Sequence, residues 1–274
     1  MAFIMWHAER HKRIRDRLAS TGRIAVDEIT AEFGVSRETV RRDLVEMEAL
    51  GALRRVRGGA VALTREDTDF RVRTSLRLRE KRAIAHATLR HLQSGMTLFM
   101  DAGTTSTVMA ETLAEPHGLT DLTIITNAFD VARLLAERPP APSRRFRVLM
   151  LAGEVRHDPM ESFGPATIND IQRYRADVAL LAPWGIDARM GAMNYFIHGA
   201  EIARAMVRNA DRTFVLADHS KIGAPARSVF CSPGEISLLI TDPAARNRPG
   251  FSALQAGLAQ VLVADGPSTP SCQS

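Results

Sequence analysis

The sequence holds only two cysteines in 274 residues, Cys231 and Cys272. That is too few for a disulfide framework or a thiolate zinc site, and points to a reduced, cytoplasmic protein. No apolar run reaches the ~18 residues that a membrane-spanning helix needs, so no membrane is expected as a partner. Met1 to Trp6 is apolar but too short for a signal-peptide core, and charged residues follow at once; Met5 is an alternative start. Neither a Walker A loop nor a Gly-rich dinucleotide turn is present, and no cofactor is expected. His7 and His11 are four apart with no acidic or sulfur partner beside them. His86 and His91, five apart, do not share a helix face, so no metal is expected either. Net charge is also scant, with 36 Lys or Arg against 31 Asp or Glu. The excess is local: residues 1–79 hold 17 basic against 12 acidic residues, and the remainder 19 against 19. A basic first third suits a polyanionic partner.

What is present begins with length. A chain of 274 residues with 45% hydrophobic side chains can bury a sizeable core and predicts two domains. In the first, residues 8–63, a helix over about Ala8–Ser20 carries Ile14 and Leu18 on one face. A short second helix follows with Asp27 as N-cap and Ile29 and Phe33 inward, and Gly34 makes a turn. Ser36 then caps a third helix in which Val40, Leu44 and Met47 recur at helical spacing, and Gly51 stops it. Thr39 and Arg42 point away from that stripe and Arg41 lies on its flank. Two helices joined by a short glycine turn make a helix-turn-helix, whose second helix suits the major groove. Leu53 to Val61 alternates around Gly58-Gly59 and predicts a hairpin, a wing carrying Arg54, Arg55 and Arg57 toward phosphates. Ser36, Arg37, Thr39, Arg41, Arg42, Arg54, Arg55 and Arg57 are the expected contacts to double-stranded operator DNA. Asp43 is expected to orient a neighbouring arginine, because a carboxylate near phosphate is repelled.

Residues 64–79 read as a linker, polar at first and then anchored by Phe70, Leu76 and Leu78. Residues 80–265 show strand–helix alternation and predict an α/β domain with a mostly parallel sheet. Seven strands are expected, at Thr97–Met100, Leu122–Thr126, Arg147–Leu151, Val178–Ala182, Thr213–Ala217, Leu238–Thr241 and Val261–Ala264. Polar motifs fall at their carboxyl ends, where such sheets bind ligands. Asp101-Ala102-Gly103-Thr104-Thr105 joins a strand to a helix N-terminus and makes a natural phosphate cradle. Thr126-Asn127, Gly153-Glu154 and the Asp218–Lys221 run occupy equivalent places. The Ser/Pro-rich tail, residues 266–274, is expected to be disordered.

Both halves resemble one known family. Arg10, Ile14, Leu18, Ser36, Thr39, Val40, Arg41, Arg42, Asp43 and Leu44 fall at the spacing of the DeoR-type helix-turn-helix, and Gly51 to Ala60 is similar to its wing. In the second half the matching stretches include Glu80-Lys81, Asp101–Thr105, Thr126-Asn127, Gly153-Glu154, Gly185-Ile186-Asp187 and Asp218–Lys221. The resemblance spans Glu9 to Ala264. It implies a winged helix-turn-helix joined to an α/β sensor similar to ribose-5-phosphate isomerase, and a transcriptional regulator, most often a repressor of sugar or polyol catabolism. A phosphorylated sugar or polyol would be its effector, and a homodimer or homotetramer its assembly. By resemblance, Asp101, Gly103, Thr104, Thr105 and Lys221 would hold the phosphate, and Asn127, Gly153 and Asp187 would line the sugar.

Two positions depart from the family pattern. Ala182-Pro183-Trp184 stands where a Gly-aliphatic-Asp is usual, so the Trp184 indole would stack on a sugar where a carboxylate would grip it. Ala203 replaces a usual lysine. Asn194, Tyr195 and His198 are alternative sources of polar contacts. Two other functions stay open on sequence alone. One is a sugar-phosphate-isomerase-like enzyme using Asp101, Glu154, Asp187 or Glu201 as acid or base. The other is a DNA-binding regulator whose sensor no longer takes a phosphorylated ligand.

Overall fold

The computed structural model describes residues 7–49, 52–61, 70–137 and 146–265. The expected helix stop at Gly51, the polar loop 64–69, Cys272 and the tail from residue 266 lie outside the described residues. The chain divides into two compact units, residues 1–73 and 74–274.

The first unit runs α1 (His7–Thr21), β1 (Arg23–Ala25), α2 (Val26–Phe33), α3 (Arg37–Ala49), β2 (Arg54–Val56) and β3 (Gly59–Val61). Each helix contributes one apolar stripe to a single core: Ile14 and Leu18, then Ile29 and Phe33, then Val40, Leu44 and Met47. Gly34 ends α2 at φ 64°, a left-handed position that a β-carbon would strain. Ser36 Oγ accepts the Thr39 amide at 3.1 Å and so starts α3. Asp27 does not cap α2. The chain enters that helix directly from β1, with Ala25 at the cap and the Val26 amide donating to Gly58 O at 2.9 Å. Asp27 lies in the first turn and pairs with Arg37 Nε at 2.8 Å. The same strand turns the expected hairpin into a three-stranded antiparallel sheet of order β1-β3-β2. Asp43 faces inward, where Arg10 Nε and Nη2 donate to it at 2.7 and 2.9 Å. The arginine it orients thus belongs to α1. The sequence leaves His7 and His11 without an acidic neighbour, but the packing of α3 on α1 supplies Asp43 and Glu46.

The division between the units falls inside α4 (Phe70–Ser75). Then follow α5 (Leu78–Leu89), β4 (Thr97–Met100), α6 (Thr104–Ala114), β5 (Thr123–Thr126), α7 (Phe129–Ala136), β6 (Arg147–Met150), β7 (Glu154–Arg156), β8 (Glu161–Phe163) and α8 (Pro165–Ile171). The chain continues through β9 (Ala176–Leu181), β10 (Gly185–Asp187), β11 (Gly191–Asn194), α9 (Ile197–Arg208), β12 (Ala210–Leu216), β13 (Ser228–Cys231), β14 (Leu238–Thr241), α10 (Phe251–Gly257) and β15 (Val261–Val263). Thus two helices, α4 and the start of α5, occupy part of the expected linker. All seven expected strands join one sheet of order β15-β14-β12-β9-β4-β5-β6, and every pairing in it is parallel. Apolar clusters cover both faces, which is why its strands read as unbroken apolar runs. Chain order leaves β4 toward β5 and β6 on one side, then returns to β9 on the other. The reversal opens a crevice between the carboxyl ends of β4 and β9. Two small antiparallel additions, the β7–β8 hairpin and the β10-β11-β13 sheet, complete the unit.

Candidate functional site

On the first unit, Ser36, Arg37, Arg41, Arg42, Arg54, Arg55 and Arg57 are exposed, and Thr39 is half-buried. A groove of about 590 Å³ runs between α3 and the sheet, with Arg37, Arg41, Arg42 and Arg55 among its lining residues and Asp27 the counter-charge on Arg37. Arg55 is tied back to α3, its amide donating to Glu48 Oε1 at 2.7 Å. The polar face and the packing face of α3 are thus distinct. One is a row of cations suited to phosphates and guanine edges, the other a core stripe.

On the second unit the residues converge at the sheet reversal. Asp101 follows β4, and its carboxylate accepts from Ser106 Oγ and from the Ala182 amide at 3.1 Å, across the β4–β9 crevice. Burial pushes Asp101 up to about 6, against the opposing pull of those hydrogen bonds. Gly103 precedes α6. A β-carbon there would lie 2.6 Å from Ala182 Cβ, so glycine is what lets the loop cross the end of β9. Thr104 and Thr105 open α6, placing a hydroxyl-rich turn and the helix's unpaired amides beside Asp101. Asn127, at the end of β5, is buried. Its amide donates to Glu161 Oε2 and Ser162 O, both at 3.1 Å, and its Oδ1 has no hydrogen-bond partner.

Glu161 and Arg156 are central here and escaped the sequence reading. They face each other across the β7–β8 hairpin as an ion pair, with Glu161 buried and Arg156 half-buried. Burial raises Glu161 to about 7; Arg156 pulls it down while Asp101 pushes it further up. Arg156 also lies 4.9 Å over the Phe196 ring. Phe196, Tyr195 and Trp184 form an aromatic cluster with centroids 5.4–5.7 Å apart, and Lys221 Nζ sits 5.7 Å over Trp184. Lys221 ends a turn capped by Asp218. Burial alone would raise Asp218, but Lys221, Ser220 and Arg77 together hold it below its ordinary value.

Other expected residues have different surroundings. Gly153 packs where a β-carbon would meet Thr167 Oγ1 at 2.0 Å and Phe163 O at 2.7 Å, so close approach explains it. The Asp187 carboxylate is taken up by its own turn, accepting the Arg189 and Met190 amides at 2.8 and 2.6 Å. Ala203 is buried in the apolar core, so the missing lysine empties no place in the crevice. Cys231 is a buried free thiol, pushed up to about 12 by burial. No helix among the described residues is long and apolar enough to cross a membrane.

A winged helix-turn-helix on one unit and an α/β unit with a polar crevice on the other define a DNA-binding transcriptional regulator. The family profile of the DeoR-like helix-turn-helix domain matches residues 10–66, and that of the DeoR C-terminal sensor domain matches residues 77–243. The chain belongs to the DeoR family. It is 30% identical over 236 residues to the glycerol-3-phosphate regulon repressor of Escherichia coli K12, covering 86% of this chain and 89% of that one. The transcriptional repressor AccR of Agrobacterium fabrum is 31% identical over 241 residues, 87% and 90% of the two chains. Among solved structures, ribose 5-phosphate isomerase A of Methanocaldococcus jannaschii aligns with 52% of this chain and 53% of its own at 15% identity and a TM-score of 0.36.

Proposed function

We propose that this regulator is a cytoplasmic repressor that holds operator DNA through α3 and the wing and lets go when a phosphorylated sugar or polyol enters the β4–β9 crevice. The carrying observation is the Asp101–Thr105 loop, which joins a switch-point strand to a helix N-terminus next to a hydroxyl-rich turn and lies on the same unit as Lys221. The names of relatives, among them a repressor of a glycerol-3-phosphate regulon, support a phosphorylated ligand. The DNA contacts are Ser36, Arg37, Thr39, Arg41, Arg42, Arg54, Arg55 and Arg57. Asp101, Gly103, Thr104, Thr105, Asn127 and Lys221 meet the effector, with Trp184 as the stacking face. To that set the geometry adds Arg156, Glu161 and Phe196. Recognition helices read paired half-sites, so the working form is a symmetric dimer or tetramer. Effector binding then shifts the equilibrium toward an arrangement that no longer matches operator spacing.

Two carboxylates raised toward neutrality are also what an isomerase would use. Here both are committed: Asp101 accepts from Ser106 and the Ala182 amide, and Glu161 from Arg156 and Asn127. Our reading is that the chain senses without catalysing; an isomerase assay with pentose phosphates is expected to show no turnover.

The deciding experiment is a thermal-shift screen against phosphorylated sugars and polyols, each beside its dephosphorylated form. A ligand at 100 times its Kd stabilises by about 2.7 kcal/mol. A shift from a phosphorylated compound that Lys221→Ala abolishes is the expected result. Shifts from unphosphorylated compounds only would overturn the phosphate reading.

A further inference from the structure

We propose that His7, His11, Asp43 and Glu46 form a binding site for a divalent transition metal of the zinc class, clasping α1 to the recognition helix α3. The two histidines lie one turn apart on α1, with ring centroids 4.0 Å apart. From α3, Asp43 and Glu46 are three apart and so share a face. His7 Nε2 is 3.7 Å from Asp43 Oδ1 and 2.9 Å from Glu46 Oε2, and His11 Nε2 is 3.6 Å from the same Asp43 Oδ1. The ligating atoms of His7, His11 and Asp43 all lie within 4.8 Å of one another. Zinc–nitrogen and zinc–oxygen bonds of about 2.0–2.2 Å at tetrahedral angles put ligand atoms roughly 3.3–3.5 Å apart. The three histidine–carboxylate spacings need adjustments of about half an ångström or less, and the widest pair, within 4.8 Å, closes by up to about 1.5 Å.

A second observation is independent of that spacing. His11 is 7% exposed, and its Nε2 is buried with no hydrogen-bond partner, aimed into the cluster. A buried ring nitrogen without a partner is costly, and a cation between it and Asp43 would satisfy it. Two nitrogens and two carboxylate oxygens exclude magnesium and calcium, which take oxygen alone, and favour zinc, cobalt or nickel. Arg10 grips the same Asp43 carboxylate and so fixes the direction of its remaining lone pairs, as outer partners of metal ligands do. With Arg10 and neutral imidazoles, the two carboxylates leave a local charge of −1 for a dication to meet. Three of the four ligands, two from α1 and one from α3, already stand together before any ion arrives. The fourth, Glu46, is half exposed and closes over it.

The test uses the full chain, metal-free and without a histidine tag, titrated with Co²⁺ and then Zn²⁺. A visible spectrum of tetrahedral cobalt saturating at one equivalent per chain, bleached by one equivalent of zinc, is expected. Zinc should also raise the melting temperature of the N-terminal unit. Because His7 is half exposed, His7→Ala should leave the circular dichroism spectrum unchanged while weakening cobalt binding at least about tenfold. His86→Ala, altering an exposed histidine of the other unit, should change nothing. An octahedral spectrum, no melting shift, or full affinity in His7→Ala would each overturn the site and leave the cluster as a hydrogen-bonded contact between helices.

Discussion

On α3, neighbouring side chains have opposite surroundings. Arg42 is exposed in the groove, whereas Asp43 is 3% exposed and locked to Arg10. Arg42→Ala is therefore expected to weaken operator binding by about 1–3 kcal/mol, or roughly 5- to 150-fold, without altering the sensor. Gel-shift titration at moderate salt checks this, and retained affinity would exclude α3 as the reading helix. In the crevice, burial raises Glu161 to about 7 from an ordinary 4.5. A carboxyl whose folded value is raised stabilises the fold below its unfolded value, and that contribution is lost as pH rises through the folded one. From pH 4.5 to 7, the wild-type sensor should thus lose stability relative to Glu161→Gln, by up to about 3 kcal/mol. The variant keeps only the Asp101 contribution, between 3.8 and about 6. Parallel melting curves across that window would show that Glu161 titrates as in water.

At the scale of elements, α6 depends on Gly103. A β-carbon 2.6 Å from Ala182 Cβ forces the loop off the end of β9. Gly103→Ala should cost about 1–3 kcal/mol of sensor stability and abolish the response to effector, with DNA binding intact. A folded variant with full induction would free the loop from its proposed role. This loop was legible in the sequence because a strand of apolar residues, Leu98 to Met100, led into Gly, Thr and Thr. The other six strands of the sheet were legible from the same kind of apolar run, with β6 and β15 at the edges only half-buried. The β7–β8 hairpin was not. Glu154-Val155-Arg156 and Glu161-Ser162-Phe163 are three residues each, too short to establish a period, and Glu161 is buried only because the hairpin folds over the crevice. β1 escaped for the same brevity, and Asp27 was misplaced as a cap because β1 was missing. Nor does local spacing reveal that Asp43 and Glu46 stand beside His7 and His11, since more than thirty residues separate them along the chain.

For the whole molecule, the two units have separate cores, with Ile14 to Ala60 in one and the flanks of the parallel sheet in the other. Calorimetry is expected to resolve two transitions, with a phosphorylated effector raising only that of the sensor and operator DNA raising that of the N-terminal unit. A single transition moved equally by both ligands would mean that the units unfold as one.

The place of β4 in the sheet also fixes an order of events during synthesis. It is the first strand of the sensor, yet one of its two neighbours is β9, with Leu98 paired to Val178, and the outer strands come later still. The N-terminal unit needs only its own 73 residues. At ribosomal rates of about 5–20 residues per second, the recognition helix emerges roughly 10–40 s before β14 is made. For that interval a nascent chain carries a DNA-reading head with no means of hearing the effector.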